Sequence, residues 1–502
     1  MAALSNHSSF IKPFRWLLLS LLIKSLLYFI FIYNNTAPAK HFYGCFVEAV
    51  DHDEYIRPID NYIDKGTYSL DGTSEPYAGR LPGFVFPYIL FRALFDQNAA
   101  LILLGIFILT LSILSSYTIS LLMFQLTGKK WAFICAFLAM NFIPFYWYFD
   151  WSLHVNSLGV SCLVFFLYYI YNFFETNKTK SLIYAGFFIA WLALLRGFCL
   201  IWIFVAFIYL LYFHIRNKNS AKKIILSSFL FLMPFMVFET AWTIRNYISL
   251  HDFIPLQTSF VPGSKSKNPE YNTGMVTKNS MMSVRKLIFA WGGDNTWYFP
   301  NADMAWFVKE RDPIIDNFEF DDKIFCEGLT QDSLAKLKSS IIYSFAAIHD
   351  KKTQDSIETV IETTAERYYA NFLQHNKSYF YFRAPFKRLK HYLFRNPTQN
   401  WPGPSFSSGN ILQQPFKVIS VFEYALLLFL GLIFPVVYFL KRKSKNKKYH
   451  FSLIYILLLG NVLPFMYLIL MSHYYYFIFG YVLLIPLFVF TVDLFQKSKH
   501  NG

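Results

Sequence analysis

Ten apolar stretches divide this chain, and they constrain its fold more than any other feature. They fall at about 14–33, 99–124, 131–148, 157–174, 181–195, 198–213, 224–243, 419–440, 451–471 and 474–494. Most are long enough, at the helical rise, to cross a hydrocarbon layer about 30 Å thick. One soluble core could not hide so much apolar surface: 55% of the residues are hydrophobic and 21% aromatic, against 15% charged. The expected fold class is an all-α polytopic membrane protein with about ten transmembrane helices. The first stretch lacks a small-residue cleavage site and reads as a retained helix rather than a signal peptide.

The formal net charge of +15 could suggest nucleic acid, but its placement excludes that class. With the N-terminus inside, the alternate connections and both ends carry 18 basic residues against one acid, Glu175; six of the 18 lie in "KRKSKNKK" at 441–448. This is the positive-inside pattern, not a phosphate-binding patch. Both termini are expected inside, and the loop after the first span outside. That loop holds "EAVDHDEYIRPID", five carboxylates in thirteen residues.

Two stretches are short. Segments 181–195 and 198–213 would each span roughly 22–24 Å as helices, whereas one fused helix would be near 50 Å and would move the Arg216–Lys223 basic cluster to the wrong side. The sequence therefore predicts a hairpin turning at "LLRG", with Arg196 at membrane depth. Charges at that depth face protein or an aqueous cavity. A snorkelling arginine is the plainer reading, and the short helices leave little length for it.

The expected topology gathers most polar interruptions on the outer side: the acidic loop, Arg80, Asp150, His154, Arg196, Glu239, Arg245 and His473. A cavity lined by carboxylates and guanidinium groups is the default site. Nucleotide sugars are not expected there, so "DHD" at 51–53 is not read as a metal–nucleotide motif. A sugar can instead arrive on a polyprenyl phosphate, whose phosphate lies at the headgroup plane within reach of arginines. Transfer from such a donor needs a carboxylate to accept the acceptor's proton and cations to stabilise the departing phosphate.

The ordered motifs D-x-x-x-Y (Asp51, Tyr55), "GTYSLDG", "GRLPGFVFPY", "LALLRG" and "WTIRNYISLHDFIPLQT" resemble those of the GT-C superfamily of integral-membrane glycosyltransferases. The branch most similar contains protein O-mannosyltransferases and the bacterial transferase that adds aminoarabinose to lipid A. The resemblance covers about the first 260 residues and, loosely, the last three helices. It implies a GT-C-like fold and an inverting transfer from a polyprenyl-phosphate-linked sugar to a glycan, lipid or protein acceptor. It also implies an essential acid in the first outer loop, matching Asp51 as general base with Asp53 second and Glu54 beside them. Donor-phosphate contacts would fall at Arg80, Arg196 and Arg245, with Asp150 near the sugar; His154, on the same outer side, is a further substrate-binding candidate. Two departures stand out: "SHYYYF" replaces the Arg-Tyr usual in the last hairpin, and "ETAW" replaces the frequent "PW", leaving Glu239 without a role.

Plainer readings stand beside these. Asp51 could be a helix cap, Arg245 an interfacial anchor beside Trp242, and Asp60 with Asp64 a solvated helix face near Arg57. Lys24, in mid-span, is expected to face other helices. No cofactor is implied; a divalent metal stays open through His52, His154 and the acids, although their spacing matches no tight ligand set. The domain division expected is 1–246, a transmembrane catalytic module with its acidic outer loop at 34–98; 247–415, an outer α-rich domain; and 416–502, the C-terminal helices. Within the outer domain, Leu334, Leu337, Ile341 and Phe345 fall at helical spacing, as do Ile357, Val360, Ile361, Thr364 and Tyr368. The segment "KSYFYFRAPFKRLKHYLFRN" suits a helix lying on membrane lipids. Cys45 and Cys326, both outside, could pair. Richness in Phe, Tyr, Ile, Lys and Asn is the usage of an AT-rich bacterial genome, which would place the protein in an inner membrane; an endoplasmic-reticulum membrane is the alternative. A glycan polymerase or ligase and a transporter are the competing functions, and a transporter would need its site near the midplane.

Overall fold

The computed structural model describes residues 10–33, 41–42, 46–47, 52–70, 72, 76–142, 146–257, 279–295, 302–309, 318–346, 351–394, 413–440, 450–468 and 477–499. The chain divides into two compact units, one of residues 1–258, 397–461 and 478–502, the other of 259–396 with 462–477.

The first unit opens with α1 (Pro13–Tyr28), continued by a π-helical turn to Tyr33, then a two-stranded ribbon of β1 (His41–Phe42) and β2 (Phe46–Val47). Two short helices follow, α2 (His52–Lys65) and α3 (Val85–Arg92), and then the apolar helices α4 (Gln97–Thr127), α5 (Lys130–Phe142), the single turn α6 (Tyr146–Asp150), α7 (Val155–Thr176), α8 (Thr179–Leu195), α9 (Leu200–Arg216) and α10 (Ala221–Leu250). Among the described residues seven helices are long and apolar enough to cross a membrane, and three apolar ones are shorter, at 130–142, 179–195 and 452–467. The protein is thus an all-helical, multi-pass membrane protein.

The helix ends follow from local chemistry. Asp96 caps α4 by accepting from the Asn98 and Ala99 amides, and Gly128 closes it in the left-handed conformation at φ 72°. The predicted hairpin break is present: Arg196 is extended at φ −143°, ψ 103°, which ends α8, and Gly197–Cys199 form a 3₁₀ turn before α9. Gly186 lets the backbone of α10 at Phe231 approach α8 more closely than any side chain would permit. Of the third expected span, 131–148, the described residues form α5 up to Phe142 and the turn α6 at Tyr146–Asp150.

Asp60 corrects a second expectation. It is not on a solvated face: it accepts from Tyr88 Oη at 2.8 Å, Arg92 Nε at 3.0 Å and Gln97 Nε2 at 2.8 Å, tying α2 to α3 and to the start of α4. Burial holds its carboxyl above the ordinary range. Asp64, beside it, is the exposed member and pairs with Arg92 at 2.7 Å.

The second unit contains α11 (Asn279–Ala290), α12 (Asp303–Val308), α13 (Gln331–Ala346), α14 (Lys351–His375) and α15 (Ala384–Phe394). Its core joins Val284, Leu287, Ile288 and Trp291 to Leu334, Leu337 and Ile341 of α13 and to Ile361, Ala365, Tyr368 and Phe372 of α14. Both expected stripes are therefore present, except that Val360 turns outward. The basic, aromatic segment is split. Arg388 is buried against the Phe289 ring and the Met466 carbonyl, while Phe382 and Phe386 are exposed. Lys387 donates to Asp321 at 2.7 Å, and Arg383 lies 3.6 Å from the same carboxylate.

The Lys387 hydrogen bond, with help from Lys323 N and Tyr379, holds the Asp321 pKa at about 2. Since this is below the ordinary aspartate value, the contribution is present above about pH 4 and lost as pH falls toward 2. Asp321→Asn is expected to speed hydrogen exchange in α15 at neutral pH by an amount equivalent to about 1 kcal/mol, discounted because the pair is partly exposed. The difference from wild type should close in acid; an equal effect at pH 2 and pH 7 would contradict it.

The remaining apolar helices are α16 (Gln413–Leu440), α17 (His450–Tyr467) and α18 (Ile478–Lys499). Helices α7 and α18 are mostly enclosed by others, while α1 and α10 expose most of their apolar surface. That surface suits lipid contact, where no water drives it inward.

Candidate active site

The organising element is the seven-residue segment Tyr77–Gly83, which follows α2 and leads into α3. At its start, the Tyr77 carbonyl accepts from Arg245 Nη1 at 2.8 Å. Arg245 also donates to Asn246 Oδ1 and to the Tyr68 carbonyl, and lies 4.5 Å from the Tyr68 ring centre and 5.0 Å from that of Trp242. A guanidinium has five N–H donors, so these three bonds leave capacity for a ligand.

Three residues on, Arg80 makes a two-nitrogen contact with Glu54, Nε at 2.6 Å and Nη2 at 2.5 Å from Oε2, and lies 5.2 Å from the Tyr55 ring centre. This pairing fixes the first turn of α2 against the segment. At the far end, the Gly83 carbonyl accepts from Trp191 Nε1 at 2.8 Å. A Cβ on Gly83 would lie 2.5 Å from the Leu194 carbonyl carbon, and one on Gly197 would meet Leu81. The "RLPG" glycine is therefore required by backbone contact with the α8 end, where Arg196 stands. The Tyr77–Gly83 segment can span at most about 25 Å, and it connects the surroundings of Arg245, Arg80 and Arg196.

Arg196 is buried and donates from Nε to Asn156 Oδ1 at 2.9 Å. Asn156 in turn donates its amide to His154 Nδ1 at 3.1 Å, so His154 is the N-cap of α7 and stacks on Phe149 at 4.4 Å. Its Nδ1 is thereby used in capping. Among the described residues no group of three His, Cys, Asp or Glu is placed to hold a metal ion.

Asp150 is held from two sides. It is fully buried, with Lys24 Nζ 2.6 Å from Oδ2 and Ser157 Oγ 2.5 Å from Oδ1. Lys24 also lies 4.3 Å from the Tyr146 ring centre, and Ser20 donates to Asn141 at 2.6 Å one turn earlier. This polar seam fastens α1 to the α5–α7 region and gives the mid-span lysine a buried partner.

Glu239 gains a role that its sequence context did not reveal. After α10 the chain doubles back, and residues on one helix face hold it: Glu239 accepts from the Leu256 amide at 2.6 Å, Trp242 Nε1 donates to the Leu256 carbonyl at 2.6 Å, and Asn246 donates to the Ile254 carbonyl at 3.0 Å. Leu256 adopts φ 61°, strained for a leucine. The motif "WTIRNY…DFIPL" thus encodes a strap on one face of α10 and Arg245 on another. Asp51, the Asp53 side chain, His473 and Cys45 lie outside the described residues.

Fold and site together describe a multi-pass membrane protein with basic groups beside an acidic helix. Over residues 81–241 the chain matches the family profile described as dolichyl-phosphate-mannose-protein mannosyltransferase, a stretch that takes in Gly83 and Arg196 and ends just before Trp242. Over that third of its length the chain is similar to glycosyltransferases that use a lipid-phosphate-linked sugar. A comparison with curated proteins finds no match. Among solved structures, the crystal structure of ArnT from Cupriavidus metallidurans in the apo state aligns at 12% identity over 94% of this chain and 77% of that one, with a TM-score of 0.34. A likeness at that score supports no residue correspondence.

Proposed function

We propose that the protein transfers a sugar, with inversion, from a polyprenyl phosphate to a glycan, lipid or protein acceptor on the non-cytosolic face of a membrane, in bacteria the inner membrane. The observation that carries this reading is the Tyr77–Gly83 segment, which ties three arginine environments to the first turn of an acidic helix. The charge bias of the loops supports the sidedness.

In the reaction, an acceptor hydroxyl attacks the anomeric carbon from the face opposite the phosphate and gives its proton to a carboxylate. Asp51, one residue before the first residue of α2, is the candidate for that base, with Asp53 next. As the new C–O bond forms, the bond from the anomeric carbon to the phosphate oxygen breaks and polyprenyl phosphate departs with the electron pair. Arg245 and Arg196 would stabilise the charge that develops on that oxygen, and Arg80, oriented by Glu54, would complete the cationic rim.

The direct test incubates purified protein with a labelled polyprenyl-phosphate sugar and a membrane extract as acceptor source, and follows release of free polyprenyl phosphate. Absence of release across hexose and pentose donors would overturn the reading. Arg245→Ala and Arg196→Ala are each expected to raise the KM for the lipid donor about 10- to 100-fold, the range for losing one charge-assisted hydrogen bond. Unchanged donor kinetics in both variants would remove their phosphate role.

A further inference from the structure

Tyr77 is not among the residues that the sequence nominates, yet its backbone and side chain meet the site at several points. Its carbonyl receives Arg245, its amide donates to the Tyr68 carbonyl at 2.9 Å, and its ring stacks on Tyr68 with centroids 6.5 Å apart. The side chain is only 2% exposed. Its hydroxyl nevertheless has no hydrogen-bond partner among the described residues.

Buried polar groups are almost always partnered, so an orphan donor asks for a reason. The location supplies one. A Cβ on Gly79 would lie 2.9 Å from Tyr77 Oη, so the hydroxyl folds back over the residue preceding Arg80. Glu54 and Arg80 are near enough to act on it electrostatically, and burial raises its pKa far above the ordinary tyrosine value, leaving a neutral O–H with a proton to donate. A neutral donor near the Arg80 guanidinium, on a residue whose carbonyl holds Arg245, is suited to an anion whose charge those arginines balance.

We propose that Tyr77 Oη is a ligand of the donor phosphate, donating a hydrogen bond to a non-bridging oxygen of the polyprenyl phosphate that Arg80 and Arg245 flank. This rests on the lipid-phosphate reading above. It makes Tyr77 a binding residue whose own partner arrives with the substrate. In the unliganded protein the hydroxyl contributes nothing to stability, since removing an unsatisfied buried polar atom is neutral or favourable.

That opposition between stability and binding is what the experiment reads. Full-length Tyr77→Phe, purified in detergent, is compared with wild type for equilibrium binding of tritium-labelled polyprenyl phosphate, for donor KM and kcat, and for thermal unfolding. The expected result is about a tenfold or greater rise in Kd and donor KM, with an unfolding midpoint equal to or above that of wild type. Unchanged Kd would overturn the proposal. So would a weaker Kd accompanied by a midpoint several degrees lower, because the hydroxyl would then be structural. Asp51→Asn runs in parallel: it should bind polyprenyl phosphate normally while losing transfer. If wild type itself fails to bind the lipid phosphate, the donor assignment falls and this proposal with it; if wild type and Asp51→Asn bind and Tyr77→Phe binds equally well, the assignment stands and this proposal alone falls.

Discussion

Lys24→Ala is expected to destabilise the protein by about 3–5 kcal/mol, the cost of leaving a buried carboxylate without its cation. The pair has no solvent to fall back on: both side chains are 0% exposed, and among the described residues Asp150 is held by Lys24 and Ser157. Thermal unfolding in detergent would read the loss, and an unaltered midpoint would mean that Asp150 is not held as an ion. Replacing both partners, Lys24→Met with Asp150→Leu, should recover most of the stability, because matched apolar side chains commonly equal a buried pair. The double variant also separates two roles. If it folds and still transfers sugar, Asp150 is a fastener for α1; if it folds and is inactive, the expectation of a sugar contact at Asp150 regains support.

The second large effect is on turnover. Asp51→Asn should fold and bind donor but lose about 10²- to 10⁴-fold in transfer rate, the usual contribution of a positioned general base. Near-normal rates would pass the role to Asp53, and loss of both in the paired variant would then identify it. The pH profile gives an independent check, since the acid limb of kcat/KM in wild type should disappear in the variant that has lost the base.

Much of the architecture was legible because membrane spans announce themselves by length and polarity alone. The break at Arg196 was legible for the same reason: two runs too short to span comfortably, and a basic cluster that would otherwise change sides. Pairings were not. Lys24 and Asp150 are 126 positions apart, and nothing in either neighbourhood names the other; Asp150 looked like a loop residue because "YFDWSLH" breaks an apolar run, whereas the break is a buried turn. Asp60 and Asp64 have the i, i+4 spacing of a wet face, but Tyr88, Arg92 and Gln97, supplied by later elements, enclose the first of them. Tyr77 went unnominated because tyrosine is unremarked in so aromatic a chain. Its signal is a buried hydroxyl with no hydrogen-bond partner among the described residues, which a sequence does not display.

The doubled-back chain after α10 has a mechanical consequence. A connection leaving from the tip of a helix would transmit any tug directly through the last turn, where Arg245 reaches Tyr77. Here three hydrogen bonds, from Glu239, Trp242 and Asn246, take the load first. Two of the three, Trp242 and Asn246, also touch Arg245, so the same contacts that pin residues 254–256 steady the guanidinium beside Tyr77.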